Sequence, residues 1–449
     1  MDIIADNKIR TTIKVLLFTA VPVMIEQLSQ ILLGTADVYF AGRLGDNAIA
    51  AISLTNLFMN LFATFFTAVA LGTAILVSNY LGAKKTDEAC VVMKQSVILG
   101  IILGIFIGLI NYFFAAPLLR LPGPNSLIVE TALPYFHIVG TPVVFMCITL
   151  ILSNGLRASG MARYAMMASL VANALNIIIN VAFMKIGMGI VGIGLATTIS
   201  RFVNMMILLY AYINGKNTLR IHISHWHINK HMIRKLIELG APIGLTQLSA
   251  RFALLIHGGV ILALGSGAYV ANSITQTIDD YACIPSAGLE IATATLIGTL
   301  VGSKSVDKIR KTAFLSFGLT SVMMTAIGGV LAIFAWQLSG LFTQTQSIQA
   351  QVAAVLRFMF FFQWTSAFSH IMTSATQGTG DTKTPLYITL AGNIIFRIGA
   401  GYVLAVVLGM GLVGIWLGIV LDFLLRGCFL TYRFIAGKMY NEGFETSPM

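Results

Sequence analysis

Charge is what this chain has least of. Only 10% of its 449 residues are Asp, Glu, Lys or Arg, whereas soluble globular domains carry roughly 25%. With 57% AVILMFWYC and a mean hydropathy of +0.87, that shortage excludes an ordinary soluble globule, a disordered tail and a nucleic-acid module. The chain must be solvated by lipid. Cysteine is also scarce: Cys90, Cys147, Cys283 and Cys428 stand far apart with no CxxC spacing. This excludes a secreted disulfide scaffold and a thiolate metal site, and leaves them as small buried hydrophobes. HExxH and GxxxxGK[ST] are missing, so neither a zinc protease nor a built-in ATPase is indicated. No cofactor is expected, and the energy for any transport must come from an ion gradient or a partner.

Acid is scarcer than base, with 17 Asp and Glu against 28 Lys and Arg for a net charge of +11. The basic residues collect on alternate connections. One set holds Lys8, Arg10 and Lys14, then Lys84, Lys85 and Lys94, Arg157 and Arg163, the 216–235 stretch, Lys304 to Lys311, Lys383, and Arg433 with Lys438; the other holds only Arg43, Arg120 and Lys185. Such a bias places the basic loops and both termini in the cytoplasm. Basicity therefore reports topology and attraction to anionic lipid rather than nucleic-acid binding. The polar N-terminus, followed by an apolar run carrying Glu26 and Asp37, is not that of a cleavable signal peptide, so the first span is expected to stay in place.

About 20 mostly apolar residues carry a helix across the hydrocarbon. Runs of that length lie near 15–41, 48–80, 95–119, 128–152, 164–184, 190–213, 236–263, 268–300, 312–336, 350–375, 384–408 and 412–435. Continuous runs of this kind do not fit a β-barrel. The expected fold is an all-α integral membrane protein of twelve transmembrane helices. Sliding the chain on itself by 220 residues places Pro22, Gln27, Leu28, Ser29, Leu44 and Gly45 on Pro242, Gln247, Leu248, Ser249, Leu264 and Gly265, Gly160 on Gly380 and Asn173 on Asn393. MGIVGIG (188–194) answers MGLVGIW (410–416) after a two-residue slip. The repeat predicts two pseudo-symmetric six-helix bundles, 1–214 and 235–449, joined by a cytoplasmic linker at 215–234, with substrate passing between them. His222, His225, His227 and His231 cluster near that linker at no standard ligand spacing, which reads as a basic interfacial segment rather than a metal site.

Ionisable groups at mid-membrane cost about 2.5–3.5 kcal/mol each on insertion scales, so those that persist are functional candidates. They are Glu26, Asp37 and Arg201 in the first half, and Arg251, Asp279, Asp280, Glu290, Arg357, Arg397, Asp422 and Arg426 in the second. Glu26, Gln30, Leu33 and Asp37 share one face of the first helix. The structural alternative is that each carboxylate is pinned by an arginine such as Arg201. Asn173, Asn176 and Asn180 form a ladder on the fifth helix, and a carboxylate near amides is a seat for a hard cation or a proton. At the 220-residue offset Asp37 falls on His257, so ion coupling is assigned to the N-terminal bundle. His257 becomes a secondary candidate for proton handling or substrate contact. Asp279 and Glu290, either side of Pro285, are candidates to line the second half, with Arg251 and Arg357 as the expected neutralising partners. Pro22 is a candidate hinge. GTGD at 378–381 spells an intramembrane aspartyl protease motif, but that chemistry needs a second aspartate at depth, and Asp381 sits in a polar turn.

The chain resembles the multidrug and toxic compound extrusion (MATE) antiporters over essentially its whole length. The likeness is carried by LLGTADVYFAGRLGDNAIAAISL (32–54), LGAKK (81–85) with its echo VGSKS (301–305), GLRASG (155–160), GIVGIGLATTIS (189–200) and QGTGDTKTP (377–385). It implies a twelve-helix antiporter in the bacterial inner membrane, a monomer, expelling amphiphilic and often cationic organic molecules in exchange for H+ or Na+. It also implies that Asp37, Asn176 and Thr197 are the family's N-lobe cation-site residues. Asn180 stands where many bacterial members carry a second aspartate, which weakens the case for tight sodium binding and favours a proton at Asp37 at least equally. Asp279 matches a glutamate position of DinF-type members, and the NorM-type acidic pair is replaced near Ala250 and Ser366, so the chain leans DinF-like. Two alternatives share the fold: a lipid-linked precursor flippase and a dedicated exporter of one secondary metabolite. A major facilitator would carry an Arg-rich loop where this chain reads GAKKTDEA.

Overall fold

The structure, a computed structural model, describes residues 9–214, Leu219 and 227–436. Among them there is no strand. In hydrocarbon a backbone N–H must find its acceptor within its own segment, which a long helix provides. The first half runs α1 (Ile9–Gly42), α2 (Asp46–Gly82), α3 (Thr86–Phe113), α4 (Ala115–Arg120), α5 (Ser126–Gly140), α6 (Val144–Ala158), α7 (Ala162–Lys185) and α8 (Gly189–Ile213). The second runs α9 (Lys230–Leu262), α10 (Ser266–Ala282), α11 (Ile284–Gly302), α12 (Val306–Ile333), α13 (Ala335–Gly340), α14 (Gln346–Gly378), α15 (Lys383–Gly392) and α16 (Gly411–Ile435). Two π-helical stretches, Asn393–Ala400 and Val403–Val407, continue α15. Among the described residues eleven helices are long and apolar enough to span a bilayer, and α5 with α6, bent by 45° at a short break, makes twelve when the pair is counted as one span.

The internal repeat is written into the backbone. Gly45 and Gly265 hold φ of 107° and 110°, Gly160 and Gly380 83° and 95°, and Lys84 and Lys304 60° and 55°. Each pair is 220 residues apart, and the two lysines close equivalent turns in a left-handed conformation rare for a side chain. Beyond Asn393 the offset becomes 222: Gly187 and Gly189 (81° and 56°) answer Gly409 and Gly411 (68° and 58°). The two extra residues therefore fall in the helix that carries the two π stretches. A π turn bonds residue i to i+5, one residue more than an α turn, so each stretch can absorb one insertion.

Proline decides where the halves differ. α2 is continuous, while its counterpart breaks at Cys283 just before Pro285, which stands in the first turn of α11. Conversely α14 is continuous where α5 and α6 break around Pro142. That second break was not anticipated in the 128–152 run. The Asn111 side-chain amide meets its consequence by donating to the freed carbonyl of Gly140 at 2.8 Å. Pro22 and Pro242 lie inside α1 and α9, which run unbroken.

Contacts group the described chain into two compact units, one of residues 25–244 and one of the residues up to Met24 together with those from Leu245. The division falls two residues after Pro22 and after Pro242, so each unit contains the opening turns of a helix whose remainder lies in the other. Both incoming segments meet their unit in the same way. In one unit a Cβ on Gly240 would come within 3.0 Å of the Ala68 carbonyl, and in the other a Cβ on Gly288 would come within 2.7 Å of the Ala20 carbonyl. Leu16 and Ala20 are fully buried there against Leu289, Ala292 and Ile371.

Within the 25–244 unit, α3 carries Gly100, Gly104 and Gly108 on one face. A Cβ at these positions would lie 2.4 Å from the Ile151 side chain, 2.7 Å from Val144 Cα and 2.3 Å from the Thr141 carbonyl oxygen. Lipid supplies no hydrophobic drive between helices, so such close approach of small residues is how they pack. Gly104→Ala is expected to lower stability by about 1–3 kcal/mol through overpacking against backbone. Gly34→Ala, whose Cβ meets nothing within 4 Å, should be neutral or mildly stabilising. Thermal unfolding in detergent compares them, and equal midpoints would refute the tight seam.

Candidate functional site

The 25–244 unit assembles a chain of side-chain hydrogen bonds from α1, α7 and α8. The Asn180 amide donates to Asp37 Oδ1 at 3.2 Å and to Asn176 Oδ1 at 2.8 Å. The Asn176 amide in turn donates to Ser200 Oγ at 3.3 Å and, at 3.5 Å, to Thr197 Oγ1. Both hydroxyls are anchored on their own helix, Thr197 to the Ile193 carbonyl and Ser200 to the Thr197 carbonyl. Asn176 and Asn180 are fully buried, and Asp37 is half-buried at the open end of the chain. The three-and-four spacing of the asparagines puts all of them on the face of α7 that meets α1 and α8.

Asp37 makes no ion pair among the described residues. Arg201 lies within electrostatic reach of it, yet Arg201 Nη1 is buried without a hydrogen-bond partner, as is Asn180 Oδ1. A buried acceptor beside a carboxylate that no guanidinium neutralises is a local excess of oxygen. Oxygen ligands of this kind suit a hard cation or a proton. Asn173 is drawn into a different contact, donating to Ser29 Oγ at 2.8 Å.

Glu26 does not pair with Arg201. It forms an ion pair with Arg157, the two being 7% and 6% exposed. Arg157 had been assigned to a cytoplasmic loop. It belongs instead to the last turn of α6, on the buried side of that helix. Gln30 is exposed.

In the other unit the expected partners also change. Asp279 accepts from the Gln363 amide, with Cys283 Sγ at 3.9 Å, and Glu290 takes Ser286 Oγ and His370 Nδ1, each at 2.8 Å. Neither Arg251 nor Arg357 pairs with them, and Arg251 lies instead within electrostatic reach of Asp280. Gln363 and His370, seven apart on α14, had not been singled out. The seven-residue spacing, which puts a glutamine and a histidine on one face of a spanning helix, is the available signal. His257 is 1% exposed, with Nε2 unpartnered. Asp381 lies in its turn, accepting from Thr384 and paired with Arg433 at 3.3 Å. Among the described residues no cluster of His, Cys, Asp or Glu could hold a metal. His222 and His225 lie outside them, while the His227 carbonyl accepts from Gln95 at 2.6 Å and His231 opens α9.

The MatE family model matches the chain twice, over residues 22–182 and 242–403. The two matches start 220 residues apart. Among curated proteins the chain is 27% identical to an uncharacterised transporter, YisQ, of Bacillus subtilis, with 92% of this chain and 91% of that protein covered. It is 25% identical to a probable multidrug resistance protein NorM of Thermotoga maritima, covering 96% and 94%. Among solved structures it superposes on a MATE in the bent conformation with a TM-score of 0.89 at 23% identity, covering 95% and 96%. An outward-facing multidrug resistance MATE transporter superposes at 0.88 and 24%, covering 94% and 96%.

The buried Glu26 and Arg157 pair generates a stability prediction. Glu26→Gln leaves the guanidinium without its counter-charge and should cost about 3–5 kcal/mol, while Glu26→Gln combined with Arg157→Met should recover most of it. Thermal unfolding in detergent reads both. A single variant as stable as the parent would mean the pair contributes nothing.

Proposed function

Because the chain belongs to the MatE family, whose members are transporters and not enzymes, we propose that it is a cation-coupled antiporter that exports small organic molecules. Asp37, Asn176, Asn180 and Thr197 form the seat of the coupling ion, with Asn173 holding α7 to α1 beside it. The observation that supports this most directly is that Asp37 accepts from the Asn180 amide, beside an unpaired amide oxygen, and makes no ion pair with Arg201 although that residue lies within electrostatic reach. A carboxylate bound permanently to an arginine has no exchangeable passenger. The names of the NorM relatives support a small organic cargo. The basic residues on alternate loops support an inner-membrane location with both ends cytoplasmic.

Coupling requires that ion and cargo favour different conformations, since a ligand with equal affinity for both shifts neither population. In this reading the protonated or sodium-occupied Asp37 site favours the state that releases cargo outside. With the acid empty and charged, the state that receives cargo from the cytosol prevails. Glu26, already neutralised by Arg157, serves to hold helices together. Asp279 and Glu290 are polar groups available to cargo, and Gln30 presents a neutral amide on the same face of α1 as Asp37.

Proteoliposomes loaded with ethidium, an amphiphilic organic cation, test the assignment when proton and sodium gradients are imposed separately. Asp37→Asn is expected to reduce gradient-driven movement to the level of empty liposomes while leaving the elution profile and unfolding midpoint intact. Undiminished transport by that variant would remove Asp37 from the mechanism. Asn180→Asp adds a second carboxylate to the same oxygen cluster, which favours a hard metal cation over a single proton. Its transport should gain dependence on the sodium gradient, and a response identical to the parent would argue that Asn180 does not touch the ion.

A further inference from the structure

The unit that begins at Leu245 contains a second buried charge cluster, and its sign is opposite. Arg426 Nη2 donates to both oxygens of Asp422, at 2.8 and 2.6 Å, and to Asn393 Oδ1 at 3.3 Å. Asp422 is fully buried. Arg397, one turn along the π stretch from Asn393, is half-buried and makes no hydrogen bond or ion pair among the described residues. Its guanidinium carbon lies 5.6 Å from the centre of the Phe423 ring, and that of Arg426 lies 5.9 Å from the same ring. His257 is within electrostatic reach of Arg397. Two guanidiniums thus share one aromatic platform with a single carboxylate between them. Glu290, whose partner His370 also packs on Phe423 at 5.5 Å, is already held by that histidine.

One positive charge is left over. In a span this is costly unless something answers it. Arg397 Nε, Arg426 Nε and His257 Nε2 are all buried without a partner, and every bond that Arg426 makes leaves from one of its nitrogens. A guanidinium offers five donors in a rigid fork that matches a carboxylate.

Comparison of the repeats shows that this cluster is present in one unit only. The Ser249 and Asn393 hydrogen bond, 3.1 Å, reproduces the Ser29 and Asn173 bond, 2.8 Å, at the 220-residue offset. From that shared landmark the chemistry diverges. Asp37 is replaced by His257, and at the 222-residue offset Ser200 and Asn204 are replaced by Asp422 and Arg426. Arg397 falls on Ile177 at the 220-residue offset and on Asn176 at the intermediate offset of 221 that one absorbed residue gives, so an arginine stands at or next to the counterpart of Asn176. Arg397 lies within a π-helical stretch, a distortion often found at functional sites.

We propose that this cluster is a binding site for an organic monocarboxylate, received by Arg397 and Arg426 with His257 as the third polar contact and Phe423 beneath the guanidiniums. A monoanion matches the single uncompensated charge, whereas a phosphate dianion would meet Asp422 with charge to spare. The site gives the transporter a means to hold anionic or zwitterionic cargo. It does not depend on the coupling role of Asp37, because binding is measured without any gradient.

Equilibrium dialysis of the purified full-length protein in uncharged detergent, with 2-naphthoate and its neutral amide 2-naphthamide as probes, tests the site. Naphthoate should bind about tenfold or more tightly than the amide, the scale of a charge-assisted hydrogen bond. Arg397→Gln should erase that preference, and Arg397→Lys should retain only part of it. Arg397 has no ion-pair partner to strand, so both variants should keep the parent's unfolding midpoint. Asp37→Asn should bind naphthoate as the parent does. Equal binding of the two probes by the parent, or naphthoate binding by Arg397→Gln at parental strength, would overturn the proposal. So would chloride displacing naphthoate at equal concentration, which would identify an inorganic anion as the ligand.

Discussion

A charge inside hydrocarbon costs several kcal/mol unless the protein answers it, and the ionisable groups of this chain are distinguished by the answers they receive. Glu26 and Asp422 are closed off by Arg157 and Arg426. Glu290 shares a histidine that carries charge only when protonated. Asp37 and Asp279 are met by side-chain amides that cannot cancel a charge. Arg397 has an aromatic ring and no counter-ion. In a closed pair each charge is answered within the protein, so the pair holds helices together without needing a ligand. Groups left open are where an ion or an anionic cargo gains free energy by arriving, and that is the requirement for a transporter.

The repeat lets the two halves act as controls for each other. Shared elements, such as the paired left-handed turns and the serine to asparagine bond, are what the fold requires. Divergent ones mark specialisation. One unit keeps a carboxylate at the end of an amide chain, and the other places histidine and arginine around the same landmark. The distinction needed more than substitution. One helix is two residues longer than its counterpart, π geometry accommodates them without breaking the span, and Arg397 on that helix lies within electrostatic reach of Asp422.

Much of this could be read in advance. Twelve spans and the two-residue slip follow from apolar run length and self-alignment, and Asp37, Asn176 and Asn180 stand out by the cost of charge in lipid and by helical spacing, whereas Thr197 enters only through the resemblance to MATE antiporters. Pairing was less legible. Arg157 reads as a loop residue because its neighbours in GLRASG include turn formers, whereas α6 continues through Ala158 and brings it to Glu26. Arg251 and Arg357 were reasonable counter-ions by charge, yet Gln363 and His370 take those places because they occupy the face of α14 that meets the carboxylates. The opening turns of α1 and α9 also belong with helices distant in the chain, and no periodicity announces that.

By itself, then, the sequence determined that the chain lives in lipid, how many times it crosses, that it is built twice, and which few polar residues demand an explanation. Hydrophobic run length and the price of charge act residue by residue, so they leave their mark in linear order. Tertiary structure alone decided which carboxylates are sealed by a cation and which remain open. That depends on how helices rotate and pack, which brings Arg157 to Glu26 across 131 residues and Asn180 to Asp37 across 143.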